Sequence, residues 1–142
     1  PTSSKILVNG TPVTFEAYNI NGNNYFKLRD LAQALSGSDK QFDIAWDGNY
    51  QAITLFPGKA YTPVGGELKA GDGNAKTAVL STARVFVNEI KGNSLDVKAY
   101  NINGNNYFKL RDIAQIIDFG VMWDAATNTV SIDTSTSYVP DK

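Results

Sequence analysis

One string of this chain occurs twice almost unchanged, and that repeat constrains the fold more than any other feature. Residues 17–33 read AYNINGNNYFKLRDLAQ and residues 99–115 read AYNINGNNYFKLRDIAQ, differing only at Leu31 and Ile113. Past the string the likeness continues as an apolar pattern. Phe42, Trp46, Asp47, Ile53 and Leu55 correspond to Phe119, Trp123, Asp124, Val130 and Ile132, and upstream Val8-Asn9 corresponds to Val87-Asn88. A repeat of this kind means one supersecondary unit used twice. The units run over residues 1–57 and 84–134. A linker rich in Gly, Ala and Thr, 58–83, joins them, and a tail, 135–142, follows.

Each unit carries the same local signals. Ile6 and Val8 alternate, Asn9-Gly10 marks a turn, and Val13 and Phe15 alternate in the next run. Asn21-Gly22 marks a second turn, because Asn and Gly tolerate the positive φ of a type I′ hairpin. Asn24 to Phe26 reads as a third strand. Leu28, Leu31, Ala32 and Leu35 then fall at helical spacing, as do Leu110, Ile113, Ala114 and Ile117. Phe42, Ile44 and Trp46 alternate at period two, like Phe119, Val121 and Trp123; Asp47-Gly48-Asn49 turns, and Ile53 with Leu55 form a fifth strand. The fold class predicted is α+β: two repeated units, each a five-stranded antiparallel sheet packed around one short helix. A unit this small, with no staple, is marginal alone, so the units are expected to pack on each other or the linker to add strands. Ala78 to Val87 is β-prone and feeds the second unit's first strand.

Composition removes whole classes of chemistry. Of 142 residues none is Cys and none is His. Thiol nucleophiles, thiolate metal sites and the commonest general base are therefore absent, and neither cofactor nor metal is expected. A net charge of −1 offers no basic footprint for nucleic acid, and no apolar run reaches the roughly 20 residues of a membrane span. The opening Pro1-Thr2-Ser3-Ser4 reads as an interior stretch of a longer protein, and Thr134 to Ser137 as the start of another linker.

The repeated string, with the tryptophan that follows it, resembles the copper amine oxidase N-terminal domain-like family. The residues that carry the likeness are Tyr18-Asn19-Ile20-Asn21-Gly22-Asn23-Asn24-Tyr25-Phe26-Lys27-Leu28-Arg29-Asp30, then Leu31-Ala32 and Trp46-Asp47. They recur from Tyr100 to Ala114 with Trp123-Asp124. The resemblance implies a five-stranded antiparallel sheet wrapped around one helix. It also implies an appendage of secreted or surface proteins of Gram-positive bacteria, often in tandem. Oxidase chemistry needs a copper centre with histidine ligands, so that activity does not carry over to a chain without histidine.

Candidate sites follow from residue type. Tyr18, Tyr25, Tyr100 and Tyr107 flank the Asn-rich hairpins, and with Asn23, Asn24, Asn105 and Asn106 they form a polar-aromatic face suited to neutral, hydroxyl-rich ligands. Against this, Asn-Gly specifies the turn and the tyrosines are half-buried strand residues. Trp46 and Trp123 are either a sugar-stacking platform or, as the burial ranking favours, core indoles under the helices. Lys27-Leu28-Arg29-Asp30 and its copy offer Arg29 and Asp30 to a charged partner or, as is favoured, are helix-start residues, with Asp30 suited to the positive end of the helix dipole. No catalytic constellation emerges. The acids are scattered, Ser81 and Ser94 have no base, and Gly71-Asp72-Gly73-Asn74 lacks the ligand spacing of a calcium loop. The sequence points to a non-catalytic, extracellular module that associates with the cell surface or wall through polysaccharide or another surface protein, without nucleic acid or membrane insertion. The alternative is a structural spacer or interaction stalk.

Overall fold

The computed structural model describes residues 2, 4–69, 71–91 and 94–139. The last residues of the tail, 140–142, and the opening Pro1 and Ser3 lie outside them. The first half contains β1 (Lys5–Val8), β2 (Thr11–Pro12), β3 (Ala17–Ile20), β4 (Asn23–Lys27), α1 (Leu28–Leu35), β5 (Phe42–Asp47) and β6 (Ala52–Pro57). After the linker come β7 (Val79–Leu80), β8 (Arg84–Val87), β9 (Ala99–Ile102), β10 (Asn105–Lys109), α2 (Leu110–Ile117), β11 (Gly120–Asp124) and β12 (Thr129–Asp133). Both helices cover the residues expected of them. Asn21 and Gly22 take φ of 53° and 84°, and Asn103 and Gly104 take 53° and 85°, the positive values a type I′ turn requires.

The strand before that turn differs from the expectation. It is Ala17–Ile20 rather than the run through Val13 and Phe15. Pro12 has no N–H to give the ladder; the Val13 N–H still donates to the Ile6 carbonyl at 3.1 Å, and the side chains of Val13 and Phe15 pack on the core. Phe15 meets Phe26 edge to face at 5.1 Å. The linker does add a strand, because β7 pairs antiparallel with β9.

The sheets are shared between the halves, where a closed sheet around each helix was expected. The central sheet is five-stranded and antiparallel, in the order β3-β4-β10-β9-β7. A second sheet runs β11-β12-β1-β2 and a third β5-β6-β8. The first half's β1 therefore pairs parallel with the second half's β12, and the second half's β8 pairs parallel with the first half's β6. At the centre Phe26 pairs with Phe108, its own counterpart in the repeat. The alternation of Ile6 and Val8 fixes which face of β1 is buried, but it is silent on which strand supplies the neighbour.

One apolar core runs through both halves. Leu28, Leu31, Ala32 and Leu35 of α1 join Leu110, Ile113, Ala114 and Ile117 of α2, with Phe26, Phe108, Phe42 and Phe119 between the layers. Each fully buried Leu or Phe contributes about 1.5–3 kcal/mol over the exposed state. That shared core buries a larger fraction of the surface than a lone half of this size, which is marginal by itself.

Candidate functional site

The tryptophans correct the core expectation. Trp46 is 53% exposed and Trp123 50% exposed. Period two is obeyed: Phe42, Ile44 and Trp46 share a face of β5, but burial falls along it from full to partial to exposed. The cause is length. An eight-residue helix spans about 12 Å, whereas a six-residue strand spans about 20 Å. The core-facing side of β5 outruns the helix that covers it, and the indole projects past the helix end. In β11, likewise, Val121 is partly buried and Trp123 exposed.

Each indole stands at a groove built from both halves. One groove, of about 510 Å³, is lined by Lys27, Leu28 and Arg29 at the start of α1 and by Ile44, Trp46, Gln51 and Ile53 of the first half. Its other wall is Asn101, Gly104, Asn105 and Asn106 of the second half's hairpin, with Ser81, Thr82 and Ala83 at one end. The other groove, of about 480 Å³, is lined by Lys109, Leu110, Arg111, Val121, Trp123, Asn128 and Val130 of the second half. Facing them are Asn19, Gly22, Asn23 and Asn24 of the first half's hairpin, with Thr2 and Ser4. The two linings match through the repeat at every position but Thr82. We call them the Trp46 groove and the Trp123 groove.

Each groove combines an apolar floor, a half-exposed indole, side-chain amides and two cationic side chains; neither lining includes a carboxylate among the described residues. Aromatic faces take the C–H faces of flat rings, and amides both donate and accept hydrogen bonds. The hydroxyls of Ser81 and Thr82 have no general base beside them in the lining. This is the chemistry of binding uncharged or anionic, hydroxyl-rich ligands.

Of the candidates read from sequence, the asparagines line these grooves and the tyrosines do not. Asn23 and Asn105 are exposed at the hairpin tips, and Asn24 and Asn106 are partly buried. Asn24 Oδ1 accepts from Thr2 Oγ1 at 2.7 Å. Tyr18, Tyr25 and Tyr107 are buried, and Tyr100 partly so. Their rings form two cross-half pairs: Tyr18 on Tyr107 at 5.4 Å and Tyr25 on Tyr100 at 5.2 Å, both edge to face. The linker passes close by, since a Cβ on Gly71 would stand 3.1 Å from Glu16 Cγ and 3.8 Å from the Tyr18 hydroxyl. The residues missed at sequence level were Asn19 and Asn101 and the hydroxyl-bearing ends, while Lys27-Leu28-Arg29 and its copy, read as helix-start residues, also line the grooves. Their near-identity in the two strings was the available signal.

Behind the grooves lies a polar cluster. Glu16 Oε2 accepts from the Tyr18 hydroxyl at 2.8 Å, and Oε1 lies 3.5 Å from Lys27 Nζ. Burial alone would raise Glu16, but the hydroxyls of Tyr18 and Tyr107 and the Lys27 ammonium outweigh it and hold the carboxyl below its ordinary range. Burial, and then the same Glu16 contact, pushes both phenols up. Asp30 is fully buried; Oδ1 accepts from the Leu68 N–H at 2.9 Å, and desolvation raises its carboxyl. Arg29 Nη1 donates to the Tyr61 hydroxyl at 3.3 Å, and that hydroxyl donates to Glu67 Oε2 at 2.6 Å. The linker is thereby fastened to the start of α1.

Metal chemistry finds no fitting donor set. The chain has no His or Cys, and no three acidic residues cluster to hold an ion among the described residues. Carboxylates and amides alone compete poorly for copper. No helix among the described residues is long and apolar enough to cross a membrane.

Comparison with known proteins adds one finding. Searches of curated proteins and of solved structures each returned no match. The copper amine oxidase N-terminal domain family matches residues 7–132 in a single span that crosses both repeats. That family takes its name from a non-catalytic accessory domain of the oxidases. The match covers most of the chain, and the chain belongs to the copper amine oxidase N-terminal domain family.

Proposed function

We propose that this chain is two tandem copies of one α+β unit, acting as a non-catalytic association module of an extracellular or surface protein of a Gram-positive bacterium. Its partner is the polysaccharide of the cell wall. The observation that carries this reading is the pair of equivalent grooves, each setting a half-exposed tryptophan against an asparagine-rich hairpin. A pyranose ring stacked on the indole places its hydroxyls toward the amides opposite. The buried tyrosines support the hairpins from behind, so Asn23, Asn24, Asn105 and Asn106 make contact while Tyr18, Tyr25, Tyr100 and Tyr107 position them.

Two linked sites gain effective concentration on a repeating polymer, and that gain vanishes when one site is lost. The test is a pull-down on purified peptidoglycan and wall polysaccharide with the parent, Trp46→Ala, Trp123→Ala and the double variant. The parent is retained, each single variant is retained less, and the double variant is lost to the level of an unrelated acidic protein. Equal retention of parent and double variant contradicts the groove, and the spacer reading then takes its place.

A further inference from the structure

The contacts that hold the two halves together have a property separate from the grooves' ligand. They are made between repeat-equivalent residues in both directions. Ile6 pairs with Val130 and Val8 with Ile132; in the reverse crossing Val85 pairs with Ile53 and Val87 with Leu55. In the repeat Ile6 corresponds to Val85, Val8 to Val87, Ile53 to Val130 and Leu55 to Ile132. The parallel registers are therefore the same register used twice. At the centre Phe26 meets Phe108, and the flanking pairs Tyr25 with Lys109 and Lys27 with Tyr107 exchange into each other under the repeat. The tyrosine contacts do so as well, Tyr18 on Tyr107 mirroring Tyr100 on Tyr25.

An interface in which residue i meets j while j's counterpart meets i's counterpart is isologous, the form a two-fold dimer requires. The differences within the strand crossings replace one aliphatic side chain by another of similar volume, which packed cores tolerate. Lys40 with Asp118 and Asn9 with Thr134 also cross between the halves, but nothing in the strand, phenylalanine and tyrosine pairs distinguishes the other half of the same chain from the corresponding half of another.

We infer that the surface joining the halves also binds a second copy of this chain. The first half of one molecule pairs in trans with a half of another, inserting β1 beside a β6 or β12 that it does not own, and each groove is rebuilt from two chains. Here the linker, 58–78, selects the cis arrangement by keeping the partner half at high effective concentration. A first half paired with a first half would set Ile6 against Ile53 and Phe26 against Phe26 across the dimer axis.

The test cuts the linker of the whole protein. A protease site is placed between Asn74 and Ala75, both exposed, and the cut protein is prepared unlabelled and nitrogen-15 labelled. Native mass spectrometry of the cut protein gives the paired fragments, close to the 15.4 kDa of the intact chain. After labelled and unlabelled samples are mixed, unfolded in guanidinium and refolded, first-with-first and second-with-second pairs appear beside first-with-second pairs. Fragments that separate in native buffer, or a refolded mixture with first-with-second pairs alone, overturn the inference. Should the cut protein not refold, the uncut chain decides. Refolded at high concentration it yields a dimer peak that is absent after dilute refolding, and a monomer at every concentration overturns the inference. No ligand enters either arm, so failure of the glycan reading leaves this result unaffected.

Discussion

The Trp46 and Trp123 grooves present the same side chains at their working positions and different ones at their margins. Lysine, leucine, arginine, tryptophan, glycine and the three asparagines recur in both. The floor trades Ile44 for Val121 and Ile53 for Val130, and the ends trade Gln51 for Asn128 and Ser81 for Thr2. Behind the grooves the halves part further. Glu16 meets Tyr18 and Lys27, where the repeat places Lys98 in the second half. Asp30 is fully buried beneath the linker, whereas Asp112 is half-buried. After the helix, the first half inserts a loop around Gly37 before Phe42. The second half goes directly into Phe119 through Asp118, which takes the left-handed conformation at φ 74°.

The comparison separates two sorts of sequence identity. The repeated string spans β3, β4 and the first helix turns, so its hairpin tip serves one groove while its Lys-Leu-Arg segment serves the other. A single string therefore contributes to both grooves, and in the first copy a change in the hairpin tip alters the Trp123 groove while a change in Lys27-Leu28-Arg29 alters the Trp46 groove. The surrounding strands add the indole of each groove and, on their buried faces, apolar bulk in which Ile, Leu and Val replace one another.

The largest effect is expected where the halves are one body. Phe26→Ala removes a fully buried ring at the centre of the shared core and should cost about 3–5 kcal/mol. Tryptophan fluorescence of Trp46-only and Trp123-only chains should then shift together in urea. Two transitions, with only the Trp46 signal displaced, would break the account of a common core.

Next is the strand exchange. Leu7→Pro removes a ladder donor in β1, which has neighbours on both sides. Amide hydrogen exchange should lose protection over 129–133, in the opposite half, before 52–57. Phe86→Pro in β8 should do the reverse. Loss confined to the mutated half would mean that each sheet is closed within its own half.

A smaller effect separates site from core. Trp46→Ala and Trp123→Ala should each shift stability by about 0.5–1 kcal/mol, as for a half-exposed surface residue, far below the cost of a buried indole. Urea midpoints read by circular dichroism check this, and a loss of about 3 kcal/mol or more in either variant would return that tryptophan to the core.

The smallest effect concerns the linker clasp at the start of α1. The hydrogen bond from Tyr61 holds the Glu67 carboxyl down at about 2, and burial with that same bond pushes the Tyr61 phenol up to about 12. A depressed carboxyl adds stability above its ordinary value near 4.5 and loses it as pH falls toward 2. Glu67→Gln should therefore lower the midpoint slightly at pH 7, and the gap to the parent should close between pH 4.5 and 2. A gap unchanged at pH 2.5 would show that the charge is not what fastens the linker.

What could be read from sequence was whatever is local. The Asn-Gly turns, both helices and the buried faces of β5, β6, β11 and β12 follow from periodicity and turn chemistry within a few residues. What could not be read was anything set by a distant neighbour. Ile6 and Val8 carry the same pattern whether β1 pairs with β6 or β12. Trp46 keeps the core-facing parity of Phe42, yet it stands beside the start of α1, at the limit of the helix's cover. The tyrosines of the hairpins would face solvent on an isolated unit, and they are buried because the other half and the linker cover that side of the central sheet.

The central claim is that each binding groove takes one wall from each half, and a double-mutant cycle tests it directly. Binding of soluble wall-polysaccharide fragments is titrated by calorimetry for the parent, Trp46→Ala, Asn106→Ala, Asn24→Ala and the pairs Trp46/Asn106 and Trp46/Asn24. Residues of one site couple, and residues of separate sites add. The account predicts that Trp46 couples with Asn106, its groove partner from the second half, and adds with Asn24, which belongs to its own half but lines the other groove. Coupling of Trp46 with Asn24 instead, with simple additivity for Asn106, would contradict it.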